Sequence, residues 1–193
     1  MFEDTYTTIY RYLGDILDYP DATIAYQARA CAALLQPILP ESADQLTAFA
    51  DFADETPIGR VEEIYTATFD INPTTYIFAG FILFGESFKR GKFLVKLQQI
   101  YRECGFETSS ELADHAAVML RFLAVCDLES TTNQELIDEC LLPVLRHMCA
   151  DFAQDTTHIH PYANVLQAVL NVCESVRTHE PVLETSCDER SMA

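Results

Sequence analysis

Apolar positions near the start of the chain fall at Tyr6, Ile9, Tyr10, Leu13, Ile16 and Leu17, steps of three and four that draw one stripe along a helix. Tyr19, Pro20 and Asp21 end it. The same reading predicts helices over about 21–35 and 41–53, parted by Pro37 and Pro40. A fourth is opened by Thr56 and Pro57, an N-cap residue followed by proline at the first helical position, and carries Val61, Ile64, Tyr65, Thr68 and Phe69 on one face. DINP (70–73) breaks the pattern, with Asn72 and Pro73 read as the cap and start of another helix whose apolar run reaches Gly85. Within 86–104, Phe88, Phe93, Leu94, Leu97, Ile100 and Tyr101 mark a further helix that Gly105 is placed to stop. TSSE (108–111) fits a capping box opening a helix over ELADHAAVMLRFLAVCD (111–127). Two later helical patterns cover roughly 133–152, where Pro143 should kink or divide the helix, and 162–176.

No stretch alternates long enough for a strand, and no Asn-Gly or Asp-Gly hairpin turn occurs. The chain therefore reads as all-α, a single-domain bundle of about eight or nine helices over residues 1–178. Residues 179–193 are expected to form a mobile acidic tail. At 193 residues, 49% hydrophobic and 22% charged, one core suffices.

Charge narrows the partners. Twelve Lys and Arg against thirty Asp and Glu give a net charge of −18, which repels nucleic-acid phosphates and anionic lipid and attracts a basic partner. The longest apolar run, YIFAGFILF (76–84), falls far short of the ~20 residues that span a bilayer and reads as a buried segment. With no signal-peptide pattern at the start, a cytoplasmic protein without membrane insertion is expected. The seven cysteines form no CxxC pair and read mostly as small core residues. Signatures of nucleotide, zinc-protease, calcium and nucleophile-elbow chemistry are all missing, so no enzyme is expected. His147 with Cys149, and His158 with His160, lack a second ligand pair, so no metal is expected either.

The segment 111–127 raises a sharper question. A turn of about 100° per residue makes its helix apolar nearly all round, which places it centrally. Asp114 and Arg121, at i and i+7, would form a narrow polar seam, with His115 turned toward Met119 and Phe122. Asp114 in a first turn also favours the helix N-terminus. The Asp-His pair is thus open to a structural or a docking role. Five of the twelve basic residues fall in GESFKRGKFLVKLQQIYR (85–102), and Lys89, Lys92 and Lys96 share one face. That face is either a solvated stripe or a dock for an acidic or phosphate-bearing group.

YRYLGDILDYPD (10–21), YTATFD (65–70), GESFKRGKFLVKLQQIYRECGF (85–106), ELADHAAVMLRFLA (111–124) and HPYANVLQAVL (160–170) together resemble the NarJ-type chaperones. These are the delta subunits of respiratory nitrate reductase, within the wider NarJ, TorD and DmsD group of redox-enzyme maturation proteins. The resemblance implies a TorD/NarJ-like all-helical, non-catalytic chaperone dedicated to a molybdenum enzyme. Such proteins bind the N-terminal region of the apo catalytic subunit, often a twin-arginine signal or its remnant. They hold it for insertion of the molybdenum cofactor before membrane docking or export. The implied cofactor reading is that none is bound tightly, with only transient contact with molybdenum cofactor through the client. The family's motifs map onto Tyr65, Phe69, Asp70, Gly85, Glu86, Ser87, Arg90, Gly91, Asp114 and His115. This chain departs from the pattern at Phe84, often His; at Ala113, usually Pro; and at Arg121, commonly acidic.

A basic, partly apolar N-terminal peptide suits an acidic helical protein, through charge steering and an apolar face laid in a groove. The expected peptide-binding set is Tyr65, Phe69, Asp70, Glu86, Arg90, Leu112, Asp114, His115, Met119, Phe122 and Tyr162. In it, Leu112, Met119 and Phe122 line the groove, Asp114 and Glu86 meet the cationic end, and His115 tunes binding over roughly pH 6–8. The competing reading is a helical adaptor or stable accessory subunit without maturation activity.

Overall fold

Ile9, Tyr10, Leu13, Ile16 and Leu17 are wholly buried in a computed structural model of the chain, whose described residues are 2–108, 111–128, 130–153 and 160–176. The stripe that predicted the first helix is thus the stripe that enters the core. In chain order the helices are α1 (Phe2–Ile16), α2 (Ile24–Leu35), α3 (Pro40–Glu55), α4 (Ile58–Phe69), α5 (Ala79–Phe84), α6 (Phe88–Glu103), α7 (Ala116–Leu123), α8 (Thr131–Glu135), α9 (Leu142–Phe152) and α10 (Pro161–Ser175). A π-helical turn, Leu136–Leu141, joins α8 to α9 without a break. Taking those three as one helix leaves nine among the described residues, and no strand. Pro143 sits in the first turn of α9, directly after the π turn. A proline there lacks the N–H of an ordinary helical bond, and the wider turn absorbs the disruption.

Helices α1, α2, α3 and α10 pack in succession, and α7 lies across α1. Every residue of α7 but Arg121 is buried, as an all-round apolar helix requires. Its backbone comes close to α1 at Gly14, where a Cβ would stand 2.8 Å from Arg121 Cγ and 2.9 Å from the Ala117 carbonyl oxygen. Gly14→Ala is therefore expected to force the helices apart and cost about 1–3 kcal/mol, read as a lower urea midpoint at unchanged slope.

Three sequence expectations change. The helix expected from Pro73 shrinks to Ala79–Phe84, because Asn72 turns the chain at φ +51° and Phe78 pairs in an antiparallel bridge with His115. The Ala79 N–H donates to the Asp114 carbonyl at 2.8 Å and the Ala116 N–H to the Ile77 carbonyl at 3.0 Å. The run Thr74–Thr75–Tyr76–Ile77 is β-branched and aromatic, types less favoured in helices, and it bends into the extended Phe78. The segment 76–84 is accordingly not buried throughout: Tyr76 and Phe84 are exposed, while Ile77 and Ala79 are covered. Secondly, α7 starts at Ala116 with His115 as its N-cap, not at the TSSE box, of which Ser109 and Ser110 lie outside the described residues. Thirdly, the cysteines divide: Cys31 and Cys173 are buried, Cys126, Cys140 and Cys149 partly so, and Cys104 is exposed. Burial pushes the Cys31 and Cys173 thiols up to about 12, so both are neutral core groups. The 179–193 tail, with Cys187, lies outside the described residues. No helix among them is long and apolar enough to cross a membrane.

Candidate functional site

Four segments meet around one hollow. After α1, the turn at Asp18 and Tyr19 is pinned by its own side chain, the Tyr19 N–H donating to Asp18 Oδ1 at 2.8 Å. The last turns of α4 present Tyr65, Thr66 and Phe69, with Asp70 at its C-cap. The extended 76–78 segment supplies Ile77 and Phe78, and the approach to α7 supplies Glu111 and His115. Together they enclose about 180 Å³. That is well under the ~300–1,000 Å³ of small-molecule and cofactor pockets, so the hollow suits a side chain.

Its floor is aromatic. Tyr65 packs edge-on against Tyr19 at 5.6 Å and against Phe69 at 5.0 Å, and the Tyr65 hydroxyl donates to the Leu17 carbonyl at 3.2 Å. Burial first, and the Asp18 charge second, push that hydroxyl's pKa well up, so it stays a neutral donor. Tyr162 is fully buried beneath, 5.7 Å from Tyr65 and 5.2 Å from Phe69. One wall is Phe78 against the His115 ring, 5.2 Å apart and nearly perpendicular.

The rim is acidic. Asp70 and Glu111 are exposed and Asp18 is half-buried. The Asp70 N–H donates to the Thr66 carbonyl at 3.0 Å, but among the described residues neither the Asp70 nor the Glu111 carboxylate has a hydrogen bond or ion pair, and no Lys or Arg lines the hollow. Carboxylates above aromatic faces attract a cation on an apolar or planar stem.

His115 serves the scaffold as well as the wall. Its Nδ1 accepts the Ala117 N–H at 3.2 Å, capping α7, and burial lowers its pKa. His160 repeats the device at α10, its Nδ1 accepting the Tyr162 N–H at 3.3 Å, again with a pKa lowered by burial. Each cap works only while Nδ1 is unprotonated. Since folding depresses both pKa values, the stabilisation is complete above the ordinary histidine value of 6.5 and is lost as pH falls through it toward the folded values. The melting temperature should drop between pH 7.5 and 5.5. His115→Asn with His160→Asn, which keeps a good cap that does not titrate, should flatten that drop in a thermal melt.

Of the expected peptide-binding set, the structure brings Tyr65, Phe69, Asp70 and His115 to one hollow. Leu112 is exposed beside Glu111, and Glu86 is exposed in the α5–α6 turn away from it. Tyr162 supports the floor from below without lining it. Met119 and Phe122 are fully buried, Phe122 stacked on Tyr101 at 4.5 Å, so neither lines a groove. A helix apolar on all sides spends every face on the core.

Asp114 also moves out of the contact role. It is fully buried, and Arg90 Nε meets its Oδ2 at 2.9 Å while the guanidinium lies over Phe78 and Phe81. Gly80 makes room for it: a Cβ there would stand 2.6 Å from Asp114 Oδ2. The Asp114–Arg90 pair is thus a brace behind the Phe78 wall. Nor do Asp114 and Arg121 share a seam, since Arg121 turns to Asp15 and Asp18. Asp18, Tyr19, Thr66, Ile77, Phe78 and Glu111 were not in the expected set. YRYLGDILDYPD contains the first two, YTATFD contains Thr66 and ELADHAAVMLRFLA opens on Glu111, whereas nothing local marks Ile77 and Phe78 within their apolar run.

A larger hollow of about 420 Å³ is lined by Gln98, Tyr101, Arg102, Phe106, Glu107 and Thr108. Among the described residues no group of three His, Cys, Asp or Glu is placed to hold a metal.

Fold and site together define an all-helical protein with a side-chain-sized, aromatic-floored and acid-rimmed cavity. A family model described as nitrate reductase delta subunit matches residues 35–167, and the chain belongs to that family. It is 27% identical over 173 residues to the "Probable nitrate reductase molybdenum cofactor assembly chaperone NarJ" of Bacillus subtilis (strain 168), covering 88% of this chain and 90% of that protein. Its fold matches the crystal structure of a candidate redox enzyme maturation protein from Archaeoglobus fulgidus, with TM-score 0.60, 20% identity, and 87% and 93% of the two chains covered.

Proposed function

We propose that the chain is a non-catalytic, cytoplasmic assembly chaperone for a molybdenum-containing respiratory oxidoreductase of the nitrate reductase type. It binds the N-terminal, basic and apolar segment of the apo catalytic subunit and holds it while molybdenum cofactor is inserted, before membrane docking or export. The cofactor is met through the client, with none bound tightly by the chaperone itself. Family membership and the NarJ relative support the class of activity. The observation that carries the peptide reading is the cavity, where the carboxylates of Asp70 and Glu111, unpaired among the described residues, line the same hollow as Tyr65 and Phe69. A basic side chain seats its charge at the rim and its stem on the rings. Beside it, half-exposed Tyr76, stacked on Phe81 at 4.1 Å, and Leu112 offer an apolar shelf to the rest of an amphipathic segment.

Titrating a peptide of the client's N-terminal segment into the protein by calorimetry tests this. Binding should weaken at least about tenfold when the peptide's basic residues become Gln, and should weaken with added salt. Equal affinity for both peptides would refute the cavity reading.

A further inference from the structure

A second hollow of about 220 Å³ abuts the first, and the two share Asp18 and Tyr19. Asp15, Asp21 and Arg121 complete its charged lining. Its three carboxylates, the shared Asp18 among them, are all already engaged. Arg121 Nε donates to Asp15 Oδ1 at 2.9 Å and its Nη1 to Asp18 Oδ2 at 2.5 Å. Asp21 Oδ1 accepts both the N–H and the hydroxyl of Thr23, at 2.7 and 2.6 Å. Asp70 and Glu111, by contrast, have no such partner among the described residues.

Arg121 is held there by the fold. It rises from the last turn of α7, and its stem crosses α1 over Gly14, where a Cβ would stand 2.8 Å from its Cγ. Its side chain and those of Asp15 and Asp18 are each a little over a quarter exposed, so the cluster opens to solvent beside the first hollow.

We infer that Arg121 is an internal occupant of a second cation site and so a specificity-determining residue, restricting this surface to one basic group of the bound peptide. The inference rests on the proposal that the first cavity takes a basic side chain. Two adjoining hollows that meet at one carboxylate would otherwise receive two neighbouring basic side chains together. With Arg121 in place, a second incoming cation finds Asp15 and Asp18 taken and meets a like charge at close range.

Calorimetry with three synthetic peptides of equal length and apolar content, carrying no arginine, one, or two at neighbouring positions, tests this on the full chain. Wild type should gain at least about tenfold from the first arginine and less than about twofold from the second. Arg121→Gln should gain about tenfold from the second, while Arg121→Lys, which keeps the charge, should behave as wild type. A tenfold gain from the second arginine in wild type would overturn the inference, even if R121Q folds poorly. So would an R121Q protein, folded by its thermal melt, that binds the one- and two-arginine peptides alike. If wild type binds the no-arginine and one-arginine peptides equally, the cavity reading itself fails and takes this inference with it.

Discussion

Asp114→Ala is expected to lower the unfolding free energy by about 3 kcal/mol, the largest effect of any single change considered, because it strands a largely covered guanidinium without its partner. Asp114 is fully buried and Arg90 is one-fifth exposed, so little solvent replaces the lost carboxylate. The damage reaches the site through the wall. Arg90 lies over Phe78 and Phe81, Phe78 packs on His115, and the backbone of Asp114 receives the Ala79 N–H. Asp114→Ala with Arg90→Met, which removes both charges, should recover much of the loss, since a buried pair replaced by apolar groups costs far less than a broken one. Urea unfolding of the two single variants and the double gives the coupling directly. Single losses that simply add would mean the pair is not a brace.

Asp70→Asn with Glu111→Gln is expected to do the opposite: weaken binding of a basic client peptide by about tenfold or more while leaving the unfolding free energy from urea within about 0.5 kcal/mol of wild type. Both side chains are exposed and, among the described residues, without a side-chain hydrogen bond or ion pair, so neutralising them breaks no such contact there. The loss should fall largely on the association rate and shrink at high salt, as rim charges do. Stopped-flow mixing at low and high salt separates this from a collapsed cavity, which would raise the dissociation rate instead. The two predictions divide the acidic residues near α7 into one that builds the site and two that use it.

The stripe from Tyr6 to Leu17, the all-helical class and the central position of α7 could be read from the chain because each depends on local periodicity. So could Tyr65, Phe69 and Asp70, neighbours on or just beyond one helical face that the YTATFD motif marks. Asp114 was misread for a physical reason. An acid just before an apolar helix looks like an exposed dipole partner, and only the fold shows that Arg90 of another helix comes to meet it. Met119 and Phe122 were misread by asking one helix to supply both core and groove. Phe78 was hidden by its run of apolar neighbours, which a helix pattern accommodates until the bridge to His115 is known. His115 is expected as a contact or pH sensor, and the structural role that the sequence leaves open for the Asp-His pair falls to it as the N-cap of α7, a position where histidine is not among the usual residues. Asp18, Tyr19 and Glu111 come together only by packing between segments far apart in the chain.

The central claim is that the acid-rimmed cavity holds the catalytic subunit only before its cofactor is in place. Co-purification from cells producing tagged wild type or the D70N/E111Q protein measures it, by assaying the captured catalytic subunit for amount and for molybdenum. The expected result is cofactor-free subunit on wild type and little on the variant. Equal capture by both proteins, or capture of molybdenum-loaded enzyme, would contradict it.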